Sequence, residues 1–223
     1  VKSELPNLKR ADSTDLRVKT YNTFINGISD PERMPAFERI FKATNPDLIT
    51  LNECWKVNPQ TVQSLLNLWL PLPEKQSWQV AKTDEGNITC SRYPILDSEN
   101  VYKDHRISAV LVQTNNSPTG EIMVINCHFT CCHADNVRQE EADALIAFLR
   151  DLYKGKKKMK IKPGTPFFLA GDLNLVGKEQ PLLTLLHGDS ANQKKFWKNF
   201  QSDNGKAPLT DVVSEVIGRR MAY

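Results

Sequence analysis

No apolar run in the 223-residue chain approaches the roughly 18 to 20 residues that a bilayer-spanning helix requires. Nor does the chain open on a positively charged, then apolar leader. The expectation is therefore a soluble protein. The first residue is Val1 rather than Met, which is compatible with removal of an N-terminal segment and keeps a secreted or periplasmic location open. Charge of one sign is not in excess either: 29 Lys+Arg against 26 Asp+Glu gives a formal net charge of +3, far from the basic balance of a dedicated duplex-binding protein. An anionic substrate is still admissible. Cysteines are few and odd in number, Cys54, Cys90, Cys127, Cys131 and Cys132, so internal pairing would leave a thiol over. Cys131 and Cys132 are candidate partners in an oxidising compartment. No internal repeat is visible, so a repeat architecture is not indicated.

What remains is an ordinary globular composition, 40% hydrophobic and 25% charged, sufficient for one good core and short for two. Residues 1–15 are polar and aperiodic and read as a tail; residues 16–223 read as one domain. Leu16 to Thr23 forms a short strand. Phe37, Ile40 and Phe41 fall at i, i+3, i+4 behind Pro35 and predict a helix closed by Asn45-Pro46. Leu48 to Leu51 is a strand. Asn58-Pro59 caps a second helix with Val62, Leu65, Leu66 and Trp69 on one face. Strand-like runs follow at Trp78 to Lys82, Asn87 to Ser91, Ile107 to Thr114 and Ile122 to Asn126. Asn136 with Gln139 resembles a capping box opening a long amphipathic helix. After it come the lysines of residues 154–162, a strand at Phe167 to Ala170 expected to be buried on both faces, and a short helix from Pro181 to Leu186 stopped by Gly188. Strands with hairpin-length links among helices predict mixed sheets covered by helices.

Four strands deliver a polar residue at their ends. They are Tyr21-Asn22-Thr23, the run Leu48 to Glu53, the run Met123 to His128, and Phe167 to Asn174, where Gly171 permits a close approach and Asp172 and Asn174 supply a carboxylate and an amide. Convergence of Asn22, Glu53, His128, Asp172 and Asn174 at one edge would make a site. Glu53 with Asp172 suits magnesium, which binds few carboxylates and prefers oxygen. A histidine beside a hydrated cation suits phosphate. Singly, each residue has a bland reading: an exposed charge, a satisfied core histidine, a turn amide.

The chain resembles the endonuclease/exonuclease/phosphatase superfamily, the deoxyribonuclease I-like metal-dependent phosphohydrolases. The resemblance is carried by the Asn of T-Y-N-T, the Glu of P-D-L-I-T-L-N-E, the segment Gly86 to Ile95, the His of I-N-C-H-F, and G-D-L-N at residues 171–174. It implies an α+β fold, a four-layer αββα sandwich of two mixed sheets with the site at one edge between them. It makes Glu53, with Asn22 and Asp172, the magnesium (or manganese) site, and His128, Asp172 and Asn174 the catalytic groups. Asn22 and Asn87 become substrate contacts; independently of the resemblance, Arg106 enters a strand near the site and is a candidate substrate contact, with a structural ion pair as its alternative. The implied activity is phosphoester hydrolysis, with phosphodiesters, nucleic acid among them, preferred. The alternatives are an inositol-phosphate phosphatase, a sphingomyelinase-type phospholipase, or a non-catalytic binding module of the same fold.

Cys127-His128 to His133 matches no familiar zinc spacing, and strand alternation puts Cys127 and His128 on opposite faces. The six lysines of residues 154–162 read as a solvated loop before a nucleic-acid grip. Members of the family end in a strand bearing a Ser-Asp-His motif. Here Leu209 to Val213 and Arg219 to Tyr223 look like the approach to it, and no Asp-His pair follows Gly171. The expectation is a domain lacking its C-terminal strands, a natural protein that continues past Tyr223, and poor hydrolysis by these residues alone.

Overall fold

In the computed structural model, which describes residues 12–196 together with Leu8, Arg10 and Asn199, the apolar strand β2 (Leu48–Asn52) is buried throughout and anchors the first of two sheets. It pairs in parallel with β1 (Val18–Asn22) and antiparallel with β4 (Ile88–Ser91), which in turn pairs with β3 (Gln79–Ala81). The second sheet runs in the order β5 (Ile95–Asn100), β6 (Ile107–Gln113), β7 (Glu121–His128), β8 (Phe167–Asp172), antiparallel except for the parallel pair of β7 and β8.

Strand alternation sorts the core into layers. Val110, Val112, Val124 and Phe168 meet Leu48 between the sheets. Their neighbours Ala109, Leu111, Met123 and Ile125 face the other way, onto α3 (Asp135–Tyr153) and α4 (Gln180–His187). Ile49, Leu51, Ile88 and Cys90 face α1 (Met34–Thr44) and α2 (Pro59–Trp69). The result is the expected four-layer sandwich, helices, sheet, sheet, helices. A short α5 (Gln193–Phe196) lies beyond α4.

The local signals behave as their chemistry requires. Asn58 Oδ1 accepts from Gln60 N at 2.8 Å with Pro59 in the first turn. Asn45 ends α1 in a left-handed conformation, φ 43°. Three readings need correction. The box of Asn136 and Gln139 does not cap α3: the helix opens at Asp135, and Gln139 Nε2 instead donates to Asp143 and to Thr184 of α4, both at 2.9 Å. Strand β5 has no forecast counterpart, because Ile95–Asn100 carries only two apolar residues and a register shift at Ile95/Asp97 that disrupts alternation. Finally, β8 is only partly buried along its length, since among the described residues its outer edge has no strand partner. The tail is pinned at Arg10, whose guanidinium donates to both oxygens of Asp47 at 2.6 and 2.9 Å. The stretches Leu209 to Val213 and Arg219 to Tyr223 lie outside the described residues.

Candidate active site

The parallel strands β1 and β2, and β7 and β8, end at the same edge of the sandwich, and the polar residues of the sequence meet there. Asn22 is the link. Its Nδ2 donates to Glu53 Oε1 at 2.9 Å and to Asp172 Oδ2 at 2.9 Å, so one amide spans both sheets and holds two carboxylates together. Its Oδ1 accepts from Phe24 N at 2.9 Å, which orients the amide. Glu53 Oε2 accepts from Ile25 N at 2.9 Å.

The backbone around these carboxylates is forced into unusual conformations. Glu53 itself has φ 60°, and Phe24, Ile25 and Asn26 have φ 49°, 51° and 61°, a run that L-residues avoid. Arg33 compensates for this turn by donating to the carbonyls of Thr23, Phe24 and Ile25 at 3.3, 2.6 and 3.2 Å. Gly171 has φ 128°, and a Cβ there would lie 1.9 Å from Cys127 O, so only glycine lets β8 lie this close alongside β7 at the paired position Cys127. Asp172 then pairs in register with His128. Its Oδ1 accepts from Asn174 N at 3.2 Å, and Asn174 Nδ2 donates to Phe129 O at 2.9 Å. Among the described residues no bond engages Asn174 Oδ1, which is left as an acceptor.

Beneath the carboxylates lies a partition of asparagines that the sequence reading did not single out beyond Asn87. Asn52, Asn87 and Asn126 are 0, 1 and 0% exposed. Asn52 Nδ2 donates to Asn87 Oδ1 at 2.8 Å and to Asn126 Oδ1 at 2.9 Å, and its Oδ1 accepts from Asp172 N at 3.0 Å. Asn126 Nδ2 reaches Leu51 O and Ile88 O in the opposite sheet at 3.2 and 3.1 Å. Asn87, expected at the substrate, is engaged with this partition and with Arg106 O at 2.7 Å, so it supports the site from below. The available signal was position: Asn52 and Asn126 lie one and two residues before Glu53 and His128, and Asn87 immediately precedes β4.

His128 is 6% exposed, and its Nδ1 is buried without a partner. Burial, reinforced by the positive charge of Arg106, lowers its pKa below the ordinary imidazole value, with Asp172 and Glu53 opposing. Its ring lies 5.8 Å from that of Trp55, and the Arg106 guanidinium sits over Trp55 at 5.2 Å. Arg106 thus faces an aromatic ring rather than a carboxylate. Cys54, beside the turn, is no nucleophile: burial pushes its thiol up to about 11. Cys127 points into the α3 side of the core, away from His128, and Cys131 and Cys132 are free and exposed. Among the described residues no three His, Cys, Asp or Glu groups cluster as a metal site. The donor set is oxygen-rich and sparse, two carboxylates and amides, which fits a hard cation that retains its waters and does not fit zinc.

The fold has counterparts among solved structures. A hairpin-deletion mutant of the β toxin of Staphylococcus aureus matches at 18% identity and TM-score 0.53, over 77% of this chain and 72% of that one. A D. rerio TDP2 humanised by 14 mutations matches at 16% and 0.51, over 77% and 71%. The human Nocturnin catalytic domain with bound sulfate matches at 14% and 0.56, over 80% and 70%. These likenesses establish the deoxyribonuclease I-like fold. Comparison with curated proteins gives no match. A sequence model of phosphoester-cleaving enzymes matches residues 20–210, nearly the whole described chain and every residue of the site, and by it the protein belongs to the Endonuclease/Exonuclease/phosphatase family.

Proposed function

We propose that the protein is a divalent-metal-dependent phosphoester hydrolase acting on phosphodiesters. The observation that carries this reading is the Asn22 amide bonded at 2.9 Å to both Glu53 and Asp172, two carboxylates from different sheets drawn together with, among the described residues, no cation beside them in an ion pair. Like charges so placed repel unless positive charge joins them. Glu53 and Asp172, with Asn22, would hold magnesium or manganese, which would supply positive charge for the phosphoryl oxygens and acidify water.

The chain's own groups complete the chemistry. A water oxygen attacks phosphorus in line as the bond to the leaving oxygen breaks. Asn174 Oδ1 and the Asp172 carboxylate are acceptors suited to orient that water and take up its proton density. His128, kept neutral at neutral pH by its lowered pKa, offers one ring N–H to a non-bridging oxygen as negative charge develops there. Phosphodiesters are favoured over monoesters because the described site holds little fixed positive charge for a dianion.

The test is hydrolysis of bis(4-nitrophenyl) phosphate, plasmid DNA and a sugar phosphate by the full-length natural protein, with and without chelator. Turnover of the diesters, abolished by chelation and restored by magnesium or manganese, is expected. Absent turnover, or turnover indifferent to chelator, would remove the enzyme reading and leave a binding module of the same fold.

A further inference from the structure

The chain leaving His128 turns at two adjacent cysteines that the hydrolytic groups do not use. Cys131 and Cys132 are exposed free thiols, whereas Cys54, Cys90 and Cys127 are buried and kept protonated, their thiols pushed up by burial. Side chains of neighbouring residues in extended chain point to opposite sides. Here Cys132 has φ 66°, in the left-handed region, and the turn brings the two Sγ atoms to 2.6 Å from each other. That separation is about half an ångström beyond a disulfide bond. A backbone conformation that L-residues avoid persists only where its surroundings hold it. The buried Arg138 does so: its Nη1 donates to Thr130 O and Cys132 O at 2.8 and 2.9 Å.

The same guanidinium connects the turn to the candidate active site. Arg138 Nη2 donates to Val176 O at 3.2 Å, Val176 N donates to Asn174 O at 2.7 Å, and Asn174 Nδ2 donates to Phe129 O at 2.9 Å. Residues 129–132 and 174–176 are thus fastened to each other, and a change at the cysteines reaches Asn174. No third His, Cys, Asp or Glu group joins the pair to hold a soft cation among the described residues. A bond between adjacent cysteines closes no loop of intervening chain, so it takes little entropy from the unfolded state and is a poor structural staple. Consecutive Cα atoms stand about 3.8 Å apart, less than the roughly 4.4 to 6.8 Å usual across a disulfide, and a bond so constrained and exposed is readily reduced. Such a pair suits chemistry that runs in both directions.

We propose that Cys131 and Cys132 form a reversible exchange site for low-molecular-weight disulfides, whose oxidised state locks the turn and, through Arg138, steadies the loop of Asn174. One cysteine thiolate attacks a disulfide RSSR, forming a mixed disulfide and releasing RS⁻, which takes up the proton that the cysteine gave up. The second thiolate attacks the first cysteine's sulfur, the protein disulfide forms, and a second RSH leaves. The two thiols lose two electrons and the small disulfide gains them; excess thiol reverses the sequence. In the dithiol state two unbonded sulfurs crowd each other in this turn, and it relaxes away from Arg138.

Glutathione disulfide is the probe, applied to the full-length natural protein and followed by peptide mass. The peptide holding both cysteines should become lighter by two hydrogens, retain no glutathione, and regain its mass with dithiothreitol. Cys132→Ser should instead retain one glutathionyl group on Cys131. A native peptide that keeps glutathione, or that does not react, would overturn the exchange site. Hydrogen exchange then reads the coupling. Amides of residues 174–176 should exchange roughly five-fold more slowly in the oxidised than in the reduced protein, the weight of one hydrogen bond, and Cys132→Ser should show no such difference between the two treatments. Equal exchange in the two states of the native protein would overturn the link to Asn174. Neither reading needs turnover, so this inference stands or falls apart from the hydrolase.

Discussion

Asn22 makes the carboxylates of Glu53 and Asp172 a unit, so their loss should be felt in chemistry more than in folding. Glu53→Gln and Asp172→Asn keep the size and the hydrogen bonding to the Asn22 region while deleting charge. Each is expected to lower kcat by at least about 100-fold, the scale of removing one preorganised electrostatic group, with thermal stability nearly unchanged. Near-native kcat in either variant would dismiss the site. His128 allows a prediction of the opposite kind, in stability. Its folded pKa lies below the unfolded value of about 6.5, so the unfolded chain binds the proton more readily. The stability tied to its neutral ring is complete above the unfolded pKa and is lost as pH falls from there through the folded pKa. Denaturant titrations from pH 7.5 to 5.5 should show stability falling with acid, and the slope should flatten in His128→Gln. A slope identical in both chains would count against the depressed imidazole.

Among the elements, the parallel pairing of β7 with β8 has no slack at Gly171. Gly171→Ala places a methyl group within 1.9 Å of Cys127 O at a backbone φ of 128°. A loss on the order of 3 kcal/mol is expected in urea unfolding, because strain and clash add. The asparagine partition ties the sheets together by a different mechanism. Asn126→Leu fills the space but leaves Leu51 O and Ile88 O without their donor and Asn52 Nδ2 without one acceptor. Unpaired buried groups should make that substitution cost about 2–4 kcal/mol, whereas an apolar swap at Val124, which faces the sheet interface, should cost less.

At the scale of the whole molecule, polarity of the parallel strands separates the lysine segment from the site. Residues 154–162 connect α3 to the start of β8, while the site lies at the strand's far end. The segment is also engaged with itself: Met159 is buried, Lys160 Nζ donates to Gly155 O and Lys157 O at 2.6 and 2.7 Å, and Lys162 Nζ donates to Thr119 O at 2.8 Å. Replacing Lys154, Lys156 and Lys158 by Gln should leave the salt dependence of polyanion binding unchanged. A slope reduced by about one unit per lost phosphate contact would return the loop to the binding surface.

The elements whose chemistry is local are legible in the chain alone: the proline and asparagine at the ends of α1 and α2, the apolar strands, and the glycine before Asp172. The candidate site is legible there as an expectation, because four strand ends carry Asn22, Glu53, His128 and Asp172. Strand β5 escaped, since a polar strand beside a bulge has no periodicity to read. The true opening of α3 escaped because Gln139 finds better partners in space, Asp143 and Thr184, than the box three residues earlier. That Asn22 bridges two carboxylates 31 and 150 residues away, that three asparagines join the sheets below them, and that the Arg106 guanidinium packs on Trp55 beside His128 follow only from the tertiary packing. These are pairings between distant segments, set by how the two sheets stack, and no local pattern in the chain encodes which buried amide will meet which carboxylate.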